Sequence, residues 1–142
     1  MGDTGSQFLG IFLAVIGIKY LWNFETVGGH SEGSRQLILV FTAFALPIID
    51  TTTVVINRLS RKQSPFVGGK DHTTHHLSYL GLSDSQVGLV FLAISALSAF
   101  LCFVIFNFIE EWSHTHTLIF AAYFLVLFAV LFGITKMKKT KD

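Results

Sequence analysis

Four long apolar runs govern what this sequence can fold into. They cover residues 6–22, 37–56, 87–109 and 117–135, each near the ~20 residues that an α-helix needs to cross a hydrocarbon core. Charged residues make up 13% of the chain and hydrophobic residues 51%, whereas a soluble domain carries about a quarter charged residues. Too little polar surface is present to cover a water-soluble globule, so the solvent for most of the chain is a bilayer. The expected fold is all-α: a polytopic membrane bundle of four transmembrane helices with one long polar connection, residues 57–86.

The charges orient the bundle. Arg58, Arg61, Lys62 and Lys70 lie on the central loop, and Lys136, Lys138, Lys139 and Lys141 close the chain. These eight of the ten basic residues fall on one face, which the positive-inside rule makes cytoplasmic. The acidic turns at Glu25/Glu32 and Glu110/Glu111 fall on the other. An even number of spans then brings both ends of the segment to the cytoplasmic side, so Gly2–Ser6 and the central loop meet at one membrane surface. Tyr20 and Trp22 end the first run where aromatic rings favour the headgroup zone, and Lys19 snorkels there. Ser83-x-x-Gln86 is a capping box announcing the third helix. Pro47 sits inside the second run, where it removes a backbone donor and favours a kink.

Some classes are excluded or weakened. The single cysteine, Cys102, allows no disulfide within the chain and reads as a small apolar side chain. Asp3 stands where a signal peptide would be basic, and no small-residue cleavage site follows the first run. Gly2 and Ser6 make only a weak match to a lipidation signal.

The residues able to carry chemistry gather on the basic face. In Gly2-Asp-Thr-Gly-Ser6, flanking glycines let a backbone approach a phosphate, and the Asp3 carboxylate can hold a magnesium ion; the alternative is an ordinary helix cap. Asp50 lies inside the second run, ~9 Å along the helix from Ile56. A carboxylate at that depth faces a bundle interior or a wet cavity, either as a functional group or paired with a neighbouring helix or Arg58. In the loop, Gly68-Gly69-Lys70-Asp71-His72 suits an anion-binding turn, with Lys70 as a point charge for phosphate. A helix from Asp71 would set His72, His75 and His76 on one face, able to bind metal, donate to phosphate oxygens or shuttle protons; the alternative is a solvated interfacial turn. His-Glu-x-x-His spacing is absent, which weakens a zinc reading. His30, His114 and His116 belong to the opposite face and are expected to take no catalytic part.

Taken together and in order, these segments resemble a known family. Met1-Gly-Asp-Thr-Gly-Ser-Gln-Phe-Leu-Gly10, then Pro47-x-x-Asp50-Thr with Arg58, then Ser64-Pro-Phe-x-Gly-Gly-x-Asp-His-Thr-Thr-His-His-Leu ending in Leu80-Gly-Leu-Ser83, are similar to the signatures of the polyprenyl-phosphate N-acetylhexosamine-1-phosphate transferases (the glycosyltransferase 4 family), with the last segment matching its cytoplasmic histidine loop. The resemblance covers the whole chain. It implies a magnesium enzyme (with manganese as a substitute) of the bacterial inner membrane. Undecaprenyl phosphate would attack a UDP-sugar, giving lipid-diphospho-sugar and UMP. By the same resemblance Asp3 is a magnesium ligand and catalytic residue, and His72 and His75 bind or orient phosphates. Lys70, Asp71, His76, Asp50 and Arg58 become candidates for substrate binding. Phosphoryl transfer needs positioning and charge neutralisation more than covalent chemistry, which suits such a set.

The run of three histidines after Pro-Ile that marks the pentapeptide transferase branch is absent. The chain is closer to the branch that starts O-antigen, teichoic acid and other cell-envelope glycans, often from UDP-N-acetylglucosamine. The family's aspartate pair lies upstream of its Gly-Asp-x-Gly-Ser motif, which leads to the expectation that this is the C-terminal part of a longer enzyme, inactive alone. Expected partners are the UDP-sugar, undecaprenyl phosphate and membrane lipid, with a homodimer in view and no nucleic acid. The rival reading is a non-enzymatic membrane module that binds metal or anions through the histidine loop.

Overall fold

The computed structural model describes residues 3–23, 33–66, 69 and 71–137. They form α1 (Asp3–Ile16), extended by a π-helical segment (Gly17–Trp22), then α2 (Gly33–Ala43), α3 (Ala45–Ser60), α4 (Thr73–Tyr79), α5 (Asp84–Phe108) and α6 (His114–Lys136). No strand occurs among the described residues. The all-helical expectation is met.

Among the described residues three helices are long and apolar enough to cross a membrane: α1 with its π-helical extension, α5 and α6. Much of their surface is apolar and uncovered, with Phe8 70%, Leu92 65% and Leu118 71% exposed. In water such faces would be an aggregation hazard; against lipid tails they need no partner. The Ser83–Gln86 capping box forms as the spacing predicts: the Gln86 amide donates to Ser83 Oγ at 3.4 Å and the Ser83 amide to Gln86 Oε1 at 2.9 Å.

The second apolar run is not one straight helix. It breaks at Phe44, and α2 and α3 meet at a bend of 76°. Pro47 accounts for the position, because it has no N–H to give the carbonyl of Ala43, the last residue of α2. Gly17 fits the bend: a Cβ there would lie 3.0 Å from the Phe44 ring, so any larger residue would press on that ring and require it to give way. Counted as one broken span, α2 with α3 is the fourth.

The bent pair is wedged against α5 and α6. Ile38 and Leu39 of α2 pack with Cys102, Ile105 and Phe120, and Ala45 and Ile49 of α3 pack with Leu131. Cys102 is a buried free thiol. Arg35, only 3% exposed, holds the opposite end: its Nη2 donates to the carbonyls of Ile105 (2.7 Å) and Ile109 (2.8 Å), and its guanidinium lies 5.9 Å from the Trp112 ring. It supplies donors to the terminal carbonyls of α5, which have no partner within their own helix.

Candidate functional site: a histidine helix held by two aspartates

α3 emerges from the bend with its polar residues at its far end, and there it meets the central loop. Asp50 is the hinge of that meeting. Its Oδ1 accepts the backbone N–H of Thr73 at 2.7 Å, and its Oδ2 lies 2.7 Å from His72 Nδ1. The carboxylate thus caps α4 from another helix, satisfying one of the amide donors that a helix N-terminus leaves unpaired. Of the two partners the sequence suggests for Asp50, a neighbouring helix is realised; Arg58 turns elsewhere.

Arg58 is 5% exposed and faces Asp71. Its Nε donates to Asp71 Oδ2 at 3.0 Å and its Nη1 to the Pro65 carbonyl at 3.1 Å. Arg61 Nη2 donates to the other oxygen, Asp71 Oδ1, at 2.8 Å. Two guanidinium groups therefore share one carboxylate, and the hydrogen bond from Arg61, followed by that from Arg58, holds the Asp71 carboxyl below its ordinary pKa. Gly69 closes over this clamp. A Cβ on it would stand 2.8 Å from Arg58 Nη2 and 2.9 Å from Asp71 Oδ2, which is why the loop carries a glycine there.

The histidines do not all share one helix face as predicted. α4 begins at Thr73, so His72 is its N-cap with an extended backbone (φ −69°, ψ 150°). Its half-exposed ring is turned to Asp50, while His75 and His76 stand in the helix, partly buried. His76 meets Tyr79 edge-on at 5.9 Å. The structure pairs Asp50 with His72 and Arg58 with Asp71, with His75 and His76 on the helix that follows. Asp3 opens α1, but its side chain, like all of Lys70, lies outside the described residues. Among the described residues no three His, Cys, Asp or Glu side chains gather as a metal site. Each Asp50 oxygen makes one contact to the start of α4.

Sequence reasoning passed over one junction at this end. Asn57, 6% exposed, joins α3 to α6: its Nδ2 donates to Thr135 Oγ1 at 2.9 Å and its Oδ1 accepts from Lys136 Nζ at 2.7 Å. Arg61 also reaches Asn57, donating from Nε to its carbonyl at 3.0 Å. An asparagine ending an apolar run reads as an interfacial residue, and no spacing announces a partner 78 positions away. The Lys136 contact places the ends of α3 and α6 together, as the basic-residue count requires.

Comparison with known proteins agrees with the motifs. No family model matches the chain, and no solved structure matches it. Curated relatives do. The chain is 30% identical to an undecaprenyl-phosphate α-N-acetylglucosaminyl 1-phosphate transferase of Pasteurella multocida, over 96% of this chain and 35% of that protein. It is 27% identical to the protein of the same name from Haemophilus influenzae, over 95% and 35%. A probable undecaprenyl-phosphate N-acetylglucosaminyl 1-phosphate transferase of Bacillus subtilis is 29% identical, over 78% and 33%. The chain spans about a third of the length of these relatives. Over most of its length, then, this chain is similar to about one third of proteins named undecaprenyl-phosphate N-acetylglucosaminyl 1-phosphate transferases, the family that its motifs resemble.

Proposed function

We propose that this chain supplies the histidine-loop side of an active site that moves N-acetylglucosamine 1-phosphate from its UDP carrier to undecaprenyl phosphate in a bacterial inner membrane. In this reading an oxygen of the lipid phosphate attacks the sugar-bearing phosphorus. The bond from that phosphorus to the bridging oxygen of the nucleotide breaks, and UMP leaves with the electron pair. The observation that carries the proposal is the double tether of the histidine segment. Asp50 fixes His72 and the start of α4, and the Arg58–Asp71–Arg61 clamp fixes the approach to it. A reaction between anions is slow unless its groups are held and its charge offset, and rigid placement of imidazoles is what the tether achieves.

His72 and His75 are then the groups that donate to phosphate oxygens, and Lys70 adds a point charge. Asp50, Arg58 and Asp71 act through them as positioning residues. Asp3 would hold magnesium, which supplies charge neutralisation to the phosphates when bound. Imidazole held by a carboxylate is oriented as well as available, because the Asp50 contact engages Nδ1 and the ring stays half exposed. The prenyl tail stays in the bilayer. An apolar groove of about 630 Å³, lined by Leu13, Val40, Phe44, Pro47 and Thr51 among others, offers it a surface within one helical turn of Asp50.

The test is an isotope label. UDP-N-acetylglucosamine carrying ³²P on the sugar-side phosphate is given to membranes holding the full gene product, with undecaprenyl phosphate and magnesium. Label in the lipid extract and unlabelled UMP in the water phase support the reading. Label leaving as UDP would mean that only the sugar moves and would overturn it.

A further inference from the structure

Phe66 is 96% exposed, on a loop whose backbone is held. Arg58 donates to the Pro65 carbonyl at 3.1 Å, and the Phe66 amide donates to Ser64 Oγ at 3.3 Å. A lone exposed phenyl ring is ordinary on a protein surface, but this one is fixed at a definite depth. α6 has 23 residues, ~34 Å at the helical rise, against a hydrocarbon core of about 30 Å. Its last turn therefore reaches the edge of that core. There Thr135 and Lys136 bond Asn57 of α3 at 2.9 and 2.7 Å, which sets Asn57 at the same level. Arg58 follows Asn57, and its one side chain spans the distance to Pro65. Phe66 thus stays close to the end of a span, where the headgroup layer is roughly 5–8 Å thick.

Two neighbours in the chain say what meets the ring. Leu59, in the last turn of α3, is 59% exposed. Lys62 lies one turn beyond it, with its amide bonded to the Leu59 carbonyl at 3.0 Å. Lys62 is exposed and takes the left-handed backbone (φ 56°) that ends α3, a place that glycine or asparagine fills at lower cost. The Gln63 amide closes the same motif on the Arg58 carbonyl at 2.9 Å. Arg61 is turned to Asp71, whereas no ion pair to Lys62 occurs among the described residues. Exposed leucine and phenylalanine beside an unpaired lysine suit the boundary of a bilayer, with the apolar groups toward the acyl chains and the amine among the phosphates.

We propose that Leu59, Lys62 and Phe66 form a foot that rests in an anionic bilayer surface and holds the histidine loop against the membrane. Lys62 supplies the charge complementary to the headgroups, and the two apolar side chains supply the insertion. This contact is independent of the sugar-transfer chemistry.

The test puts an environment-sensitive fluorescent amino acid in place of Phe66 in the full gene product, reconstituted in phosphatidylcholine vesicles with or without phosphatidylglycerol. Because the ring is exposed, the exchange disturbs no packing. Two quenchers report its surroundings: iodide in the water and a nitroxide on the lipid headgroup. The expected result is quenching by the nitroxide with protection from iodide, and a ratio of lipid-facing to water-facing probe that rises with phosphatidylglycerol. Lys62→Gln should lower that ratio about fivefold in the phosphatidylglycerol vesicles, and Lys62→Arg should keep it. A probe open to iodide and untouched by the nitroxide in both compositions overturns the proposal, as does a ratio that Lys62→Gln leaves unchanged. A probe shielded from both quenchers also overturns it, because protein then covers the ring. Shielding that appears only with UDP-N-acetylglucosamine would assign the ring to the substrate instead. The readout needs no turnover, so failure of the sugar-transfer reading would leave this result standing.

Discussion

Asp50 is the residue on which the site turns, because one side chain both caps α4 and orients His72. Replacing it with alanine removes a helix cap worth about 1 kcal/mol and leaves His72 without its partner. We expect the Thr73 amide to lose hydrogen-exchange protection in Asp50→Ala, whereas Asp50→Asn, which keeps one oxygen for that amide, should retain part of it. Equal protection in both variants and the parent would show that the cap does not hold α4. Asp71 makes a pH prediction. Its carboxyl is held below the ordinary range by Arg61 and Arg58, so the folded state binds the proton less readily than the unfolded state does. The clamp's contribution is full above the unfolded-state pKa and is lost as pH falls through the lower folded-state value. Proteolysis of residues 61–72 should therefore be insensitive to pH from neutral to about pH 5 and accelerate only in stronger acid. Asp71→Asn should be cut rapidly at neutral pH.

At the level of helices, much was readable and some was not. The capping box of α5 is local, three residues apart, and the sequence announces it. Pro47 announces a kink, but the 76° size of the bend depends on Phe44 and Gly17 packing across it, which no single run encodes. His72, His75 and His76 have helical spacing, yet Asp50 caps the helix one residue after His72 and takes that imidazole off the shared face. Arg35 carried no signal at all. Its targets are carbonyls 70 and 74 positions away, and a cation before an apolar run reads as a loop residue. Because its guanidinium reaches two helix-end carbonyls from a buried place, Arg35→Met should cost about 2–3 kcal/mol. The thermal midpoint in detergent should fall clearly, and Arg35→Lys, which keeps a charged nitrogen able to donate twice but on a shorter stem, should recover part of the loss. An unchanged midpoint in Arg35→Met would show that the α2–α5 junction does not depend on it.

For the molecule as a whole, hydropathy and basic-residue placement settled the class of fold, because the bilayer leaves a chain of this composition few choices. The gathering of Asp50, Arg58, Asp71 and His72 needed the tertiary structure, since it joins the end of one span to a loop more than ten residues on. The role proposed for this tethered histidine helix is phosphoryl transfer. The most direct measurement is the rate of UMP release from UDP-N-acetylglucosamine by the full gene product in membranes with undecaprenyl phosphate, comparing His75→Ala with His116→Ala. His75→Ala should lose about a hundredfold or more in kcat/KM, the scale of removing a group that stabilises transition-state charge. His116→Ala, at the opposite end of the bundle, should stay within about twofold, inside the small range of surface substitutions. Equal rates in the two variants would contradict the claim and leave the histidine helix a structural or binding element.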